Sequence, residues 1–274
     1  MNLARGVRVW FLTLGAALTL PCQVPTSGGT PSQSARAGSA TPSPQPSTTV
    51  ERPVSWKRLP LNLLSDQKRI WTFPVRVLQG EDLAPTTAVI GTTAALVALD
   101  PSESAYFRST PSFHTFNNIF TGKATSIGII AAPASLYAVG LLRRDSKMQH
   151  TALLAGEAIA DAELVTTVLK DATRRVRPAA IPTNRNYWDT WFESGGSVFR
   201  GSGSFPSGHT IAAFSAATVI ARRYGKHRWI PYVAYGAASL VGFSRLSLSA
   251  HFLSDVFMGG ALGYSISRFA VLRQ

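Results

Sequence analysis

The sequence predicts an all-α protein, a six-helix bundle behind an amino-terminal leader. Apolar segments of helical length recur between short polar loops, whereas no alternating apolar–polar run bounded by turn residues reads as a strand. Composition adds the setting. Of the 274 residues 45% are hydrophobic and 15% charged, against roughly 25% charged in average soluble domains. A surface that poor in charge is either unusually apolar or covered by lipid or a partner.

Arg5 and Arg8 precede "VWFLTLGAALTL", an apolar run of signal-peptide length and shorter than the ~20 residues of a spanning helix. Residues 1–22 are therefore expected to be a signal peptide or anchor, which places the chain in the cell envelope, on the periplasmic or extracytoplasmic side. The single cysteine, Cys22, excludes a disulfide framework, and Pro21 before it argues against lipid attachment there. Residues 23–50 are rich in Pro, Ser, Thr and Gly and too poor in apolar side chains to repay ordering, so they read as a disordered linker. Residues 51–82 read as an interfacial or packing segment.

The helical domain, 83–274, carries the six predicted helices: Thr86 to Leu99, Ala124 to Leu142, Thr151 to Lys170, Thr210 to Arg223, Trp229 to Phe243 and Phe252 to Phe269. Their Gly, Ala, Ser and Thr content lets helix backbones approach closely. Most are no longer than the ~20 residues a span requires. The third carries Glu157, Asp161 and Glu163, costly in hydrocarbon, and is expected to be partly wetted. The loops "RRDSKMQ" and "RRYGKHR" follow helices two and four and share one face, which the positive-inside rule makes cytoplasmic. An exported amino terminus followed by one span puts the same loops outside, so a membrane-integral and an exported, membrane-associated bundle both stay open.

The net charge of +13, from 27 Lys and Arg against 14 Asp and Glu, favours an anionic partner. Nucleic acid is not expected, because the arginines are scattered between apolar segments instead of clustered with aromatics on a polar background. Anionic lipid or a phosphorylated substrate remains.

Three clusters carry the chemistry. In "KDATRRVRP", Lys170 and Arg177 lie seven apart, about two turns, so both can sit on one face of a helical end and reach one anion. Equally, cations simply suit a helix carboxy terminus. In "SFPSGHT", a helix starting near Ser207 offers its free N–H groups to an anion, with Gly208 allowing close approach, the Ser207 hydroxyl donating and His209 alongside. The plainer alternative is a helix cap. In "SRLSLSAHFLSD", Ser244 and Arg245 end the fifth helix, and His251 and Asp255 lie four apart. That spacing lets the carboxylate hold one ring nitrogen and leave the other as a nucleophile, or makes an ordinary surface pair. A zinc site fits poorly, because cations surround the two histidines. In an alternating bundle the ends of helices three and five and the starts of four and six share a face, so the clusters meet as a phosphate cradle holding a nucleophile and a proton donor.

These clusters resemble the K-x6-R-P, P-S-G-H and S-R-x5-H-x3-D signature of the type 2 phosphatidic acid phosphatase superfamily, which includes bacterial class A acid phosphatases and vanadium haloperoxidases. Residue identity and internal spacing match across Lys170 to Asp255. The resemblance implies that family's helical bundle and a phosphatase acting on phosphomonoesters or diphosphates without metal or cofactor. By the same resemblance His251 attacks phosphorus to give a phosphohistidine and Asp255 orients it. His209 protonates the leaving oxygen and later activates water, while Lys170, Arg177, Ser207, Gly208 and Arg245 hold the phosphate. Between the first two clusters, Arg185, Tyr187, Trp188, Trp191 and Phe192 are expected to form a substrate entrance for a lipid chain or to pack the loop down. The expected partner is a phosphorylated lipid or a small phosphoester at a membrane, and oligomeric state is not readable. Alternatives are a haloperoxidase holding vanadate on the same residues, with His251 as its ligand, and a non-catalytic envelope binding protein. His114, His150 and His227 have no assigned role.

Overall fold

The computed structural model describes residues 52–182, 186–193 and 201–272; the leader, the linker and Arg185 lie outside them. The described residues are helical without strands: α1 (Leu59–Leu78), α2 (Leu83–Ser109), the short α3 (His114–Ile119), α4 (Gly122–Leu142), α5 (Ser146–Thr173), α6 (Gly208–Arg223), α7 (Trp229–Ser247) and α8 (Leu253–Ser265), which continues as a π-helical turn, Ile266–Val271. The six predicted helices correspond to α2 and α4–α8, and α1 is an additional helix in the 51–82 segment. The predicted end of α2 at Leu99 is too early. The helix passes through Asp100 and Pro101 to Ser109, because Asp100 and Ser104 are buried against the bundle and hold the turn around the missing rung.

α6 is the central helix, packed by α5, α7 and α8, with eleven of its sixteen residues buried. Small side chains bring its neighbours onto its backbone. A Cβ added at Gly263 of α8 would collide with the Ile211 carbonyl oxygen, so only glycine permits this crossing. Leu153, Leu154 and Val165 of α5 and Ile211 and Val219 of α6 fill the main core with Ile266 and Val271.

The outer helices reverse the usual pattern. On α2 the buried residues are Thr93, Asp100 and Ser104, whereas Leu83, Ile90, Leu99 and Tyr106 are exposed. On α4 the buried residues are Thr125, Pro133 and Gly140, whereas Ile127, Ile130, Leu141 and Leu142 are exposed. The stretches Leu83–Ser109 and Pro111–Leu142 are each long and apolar enough to cross a membrane.

The expected wetting of the third predicted helix does not hold for two of its acids. Glu157 and Asp161 are buried against α1 and the segment before it. Arg52 reaches Asp66 and Glu157, both at 2.7 Å, and the Gln67 side chain donates to Asp161 Oδ1 at 2.8 Å. Pairing with Arg52 and Gln67 offsets part of the cost of burying these acids; Glu163 alone of the three is exposed.

Candidate active site

The first cluster is assembled by a chain reversal and not by helical periodicity. α5 stops at Thr173, where Arg174 adopts a left-handed conformation (φ 44°) and donates its N–H to the Lys170 carbonyl at 2.9 Å. Arg177 lies four residues beyond the helix in extended backbone (ψ 147°), as expected before Pro178, whose ring disfavours the helical conformation in the preceding residue. The predicted two-turn stacking of Lys170 and Arg177 is therefore wrong, although both still reach the same place.

α6 begins as expected. Ser207 is its N-cap residue and Gly208 its first helical residue. The Ser207 hydroxyl caps nothing, and accepts a hydrogen bond from Thr210 Oγ1 at 2.9 Å. A Cβ at Gly208 would lie 3.3 Å from Lys170 Nζ, so the glycine is what lets the ammonium approach the helix amino terminus. Arg245, at the end of α7, is buried and spends Nη2 on the Phe120 carbonyl (2.7 Å) and Thr125 Oγ1 (2.9 Å), both at the start of α4. Among the described residues the ion pairs do not include Lys170, Arg177 or Arg245. Three cations beside a helix amino terminus, none of them held in one of these ion pairs, form an anion site. Their mutual strain shows in Lys170, whose ammonium is pushed down to about 8 by burial, with Arg177 adding to the effect.

Both histidines lie near these cations, since Lys170 and Arg177 act on each ring. His209 Nε2 lies 3.1 Å from the Gly122 carbonyl and 2.8 Å from Ser126 Oγ. A carbonyl only accepts, so Nε2 carries the proton and Nδ1 is left for a ligand. Burial, then the nearby Arg245 charge, lowers this ring to about 4. His251 precedes α8 instead of lying in its first turn, and meets Asp255 because that carboxylate folds back over the helix start. Its Oδ2 accepts the Phe252 N–H at 2.9 Å and lies 3.5 Å from His251 Nδ1. Ser204 bridges the two, donating to Asp255 Oδ2 at 2.5 Å with its oxygen 3.4 Å from His251 Nδ1. Burial lowers His251 to about 4 against the opposing pull of Asp255. Burial also opposes ionisation of Asp255, but the His251 ring, Arg175 and Ser204 outweigh it and hold the carboxyl below its usual range. At neutral pH the pair is thus a neutral imidazole against a carboxylate.

The predicted entrance residues separate. Trp191 turns inward, its ring 4.3 Å from the Arg175 guanidinium, and Tyr187 accepts a hydrogen bond from Arg108 of α2 at 3.2 Å. Trp188 and Phe192 are exposed. A different apolar space adjoins the site, a cavity of about 410 Å³ between α4, α6 and α7. Ala132, Ala213, Ala217 and Ala237 line it, and at one end Phe120 and Thr125, the two acceptors of Arg245, form its wall.

Sequence reasoning missed Ser204, Ser126, Arg175, Asp100 and Ser254. One signal was available: Asp100 is an acid inside a long apolar run, and such a residue faces the bundle interior and marks a functional region by default. Ser126 and Ser254 carried none.

Residues 151–274 match the PAP2 superfamily. A stretch of 61 residues is 43% identical to the lipid A 1-phosphatase of Porphyromonas gingivalis, covering 22% of this chain and 14% of that protein. Another, of 108 residues, is 36% identical to phosphatidylglycerophosphatase B of Bacillus subtilis, covering 36% of this chain and 46% of the relative. The chain therefore spans less than half the length of either relative. Among solved structures, the transmembrane PAP2-type phosphatidylglycerolphosphate phosphatase of Bacillus subtilis is similar over 78% of this chain and 92% of that one, at 22% identity and a TM-score of 0.37. All three signature clusters, with the cradle they build, lie inside the region that matches the PAP2 superfamily.

Proposed function

We propose that this protein is a membrane-integral phosphatase that removes phosphate from a lipid-linked monoester or diphosphate through a phosphohistidine, without a metal. The observation that carries the reading is the meeting of Lys170, Arg177, Arg245 and the α6 amino terminus around a neutral His251 backed by Asp255. The chain's own cations supply the charge neutralisation that phosphoryl transfer demands.

In the first step His251 Nε2 attacks phosphorus as the bond to the leaving oxygen breaks, and Asp255 accepts the hydrogen bond of the Nδ1 proton as the ring becomes cationic. His209 gives its proton to the leaving oxygen. Burial and the Arg245 charge hold His209 neutral; a bound phosphate dianion offsets that charge and lets the ring take up the proton it must deliver. Water then attacks phosphorus, His209 accepts its proton, the N–P bond breaks and phosphate leaves.

Two features favour a lipid. The exposed apolar faces of α2 and α4 suit hydrocarbon, and the cavity against Phe120 and Thr125 offers an aliphatic chain a place directly beside Arg245. The names of the relatives point to phosphatidylglycerophosphate and lipid A as the substrates to try first. The basic loops after α4 and α6 favour the cytoplasmic side by the positive-inside rule, which puts the cradle, at the opposite ends of those helices, on the extracytoplasmic side of the envelope.

The test is phosphate release by the detergent-solubilised protein from these two lipids, phosphatidic acid, an isoprenyl diphosphate and a soluble aryl phosphate, with EDTA present. EDTA-resistant turnover that falls by at least about 10³-fold in His251→Ala supports the reading. Equal inertness of folded wild type and variant on all five compounds overturns it.

A further inference from the structure

Arg175 is, with Arg245, among the largest fully buried side chains of the described residues, and the reaction described above does not use it. Its guanidinium is held flat between the rings of Phe252, at 3.9 Å, and Trp191, at 4.3 Å. Nη1 donates to Asp255 Oδ1 at 2.7 Å and to Ser254 Oγ at 2.8 Å; Nη2 donates to Asp100 Oδ2 at 2.6 Å. Asp100 in turn accepts the Ser254 backbone N–H at 3.1 Å and the Ser254 hydroxyl at 2.5 Å. Arg175 and Asp100 are each 1% exposed and Asp255 not at all, so no water screens this row of charges. A cation bound to the carboxylate that must attract the His251 proton works against that attraction. Asp100 supplies the missing negative charge on its far side. It comes from α2, upstream of the region that matches the superfamily.

We propose that Asp100 and Arg175 are positioning residues that act as a charge-balanced brace. Arg175 fixes the Asp255 carboxylate, and Asp100 cancels the cation so that Asp255 keeps its full pull on His251. The inference rests on the phosphohistidine reading for its kinetic consequence only. Other charges also face the ring: Lys170 of α5 and Arg177 after it act on His251 directly, and Glu103 of α2 acts on Asp255. Arg245 of α7 bears on His209. All of these stay unchanged in the variants below.

Counting Asp100, Arg175 and Asp255, the native row sums to one negative charge, Asp100→Asn to zero, Arg175→Gln to two negative charges, and the double variant to one again. The acid limb of kcat/KM, where His251 takes up a proton, is expected to move down by about one pH unit in Asp100→Asn, up in Arg175→Gln, and back in the double variant. In Asp100→Asn kcat is expected to drop about ten- to a hundredfold with little change in KM, since neither residue touches phosphate, and the double variant should recover part of the loss. Independently of turnover, the ring N–H proton signal of His251, identified by its disappearance in His251→Gln, should move upfield in Asp100→Asn and return in the double variant. A purely structural pair gives additive losses with an unmoved acid limb and an unmoved N–H signal, and that result overturns the brace. Should Arg175→Gln fail to fold, the isosteric Asp100→Asn decides alone by the same two readouts. A moving N–H signal in a protein that hydrolyses none of the phosphoesters supports the brace while overturning the phosphatase reading.

Discussion

α6 and α4 are neighbours of similar small-residue content, yet they bury opposite things. α6 hides Ile211 and Val219 together with Thr210, Ser215 and Thr218 on most of its circumference, because helices surround it. α4 hides Thr125, Pro133 and Gly140 and turns Ile127, Ile130 and Leu142 outward. In water the second arrangement leaves apolar area exposed for no gain, since each Leu or Ile left out forgoes about 1.5–3 kcal/mol. In hydrocarbon it costs nothing, and the polar atoms are better placed inside, where they find partners. The difference teaches where the catalytic chemistry can be held: Arg245 and His209 lean on Phe120, Gly122, Thr125 and Ser126, at the start of the outer helix and on its inward side.

The comparison breaks most visibly at its polar end. Lys170→Gln keeps much of the side-chain volume but removes a cation facing the α6 amino terminus, and kcat/KM for phosphate release is expected to fall about 10²–10³-fold. A loss under threefold would remove Lys170 from the cradle. Next in size is the outer face: Ile130→Lys puts a charge near the middle of α4 and should cost about 2.5–3.5 kcal/mol of insertion, read as the membrane-integrated fraction after carbonate extraction. Undiminished integration would mean that this face does not meet lipid. Ile130→Ser is the companion, and its melting temperature in detergent should match wild type, because a surface change is worth within about 0.5 kcal/mol.

The cavity between the two helices gives a smaller effect. Ala217→Leu fills part of it, and the ratio of long-chain lipid to soluble aryl phosphate turnover should fall about tenfold, carried by KM. An unchanged ratio would place the substrate chain elsewhere. The gentlest probe is pH. Lys170, lowered to about 8, is charged below that value and loses its proton above it, while His251, lowered to about 4, becomes protonated and non-nucleophilic below that value. The free-enzyme profile of kcat/KM is therefore expected to stand highest between those limits and decline on either side. A maximum above pH 9 would contradict the burial of Lys170.

Much of this was legible in the chain. Helical periodicity and the absence of strand patterns define the six principal helices. The spacing of Lys170, Arg177, Ser207, His209, Arg245, His251 and Asp255 marks the cradle, because short-range motifs carry their geometry with them. What misled was reasoning by helical phase beyond a helix end. Lys170 and Arg177 are brought together by the left-handed turn at Arg174, and His251 meets Asp255 across a helix start. Neither the inward turn of Trp191 nor the pairing of Glu157 and Asp161 with α1 was visible, since each depends on a partner far away in sequence.

The sequence by itself determined the helices, the basic anion site and the identity of the nucleophile candidate, because periodicity, charge and motif spacing are local properties of the chain. Only the tertiary structure decided that Asp100, a residue in an apolar run, reaches across to Arg175 and through it to Asp255, and that Ser204 bridges Asp255 and His251. The physical reason is that a buried charge is tolerable only beside its partner, and where that partner lies is set by how the helices cross.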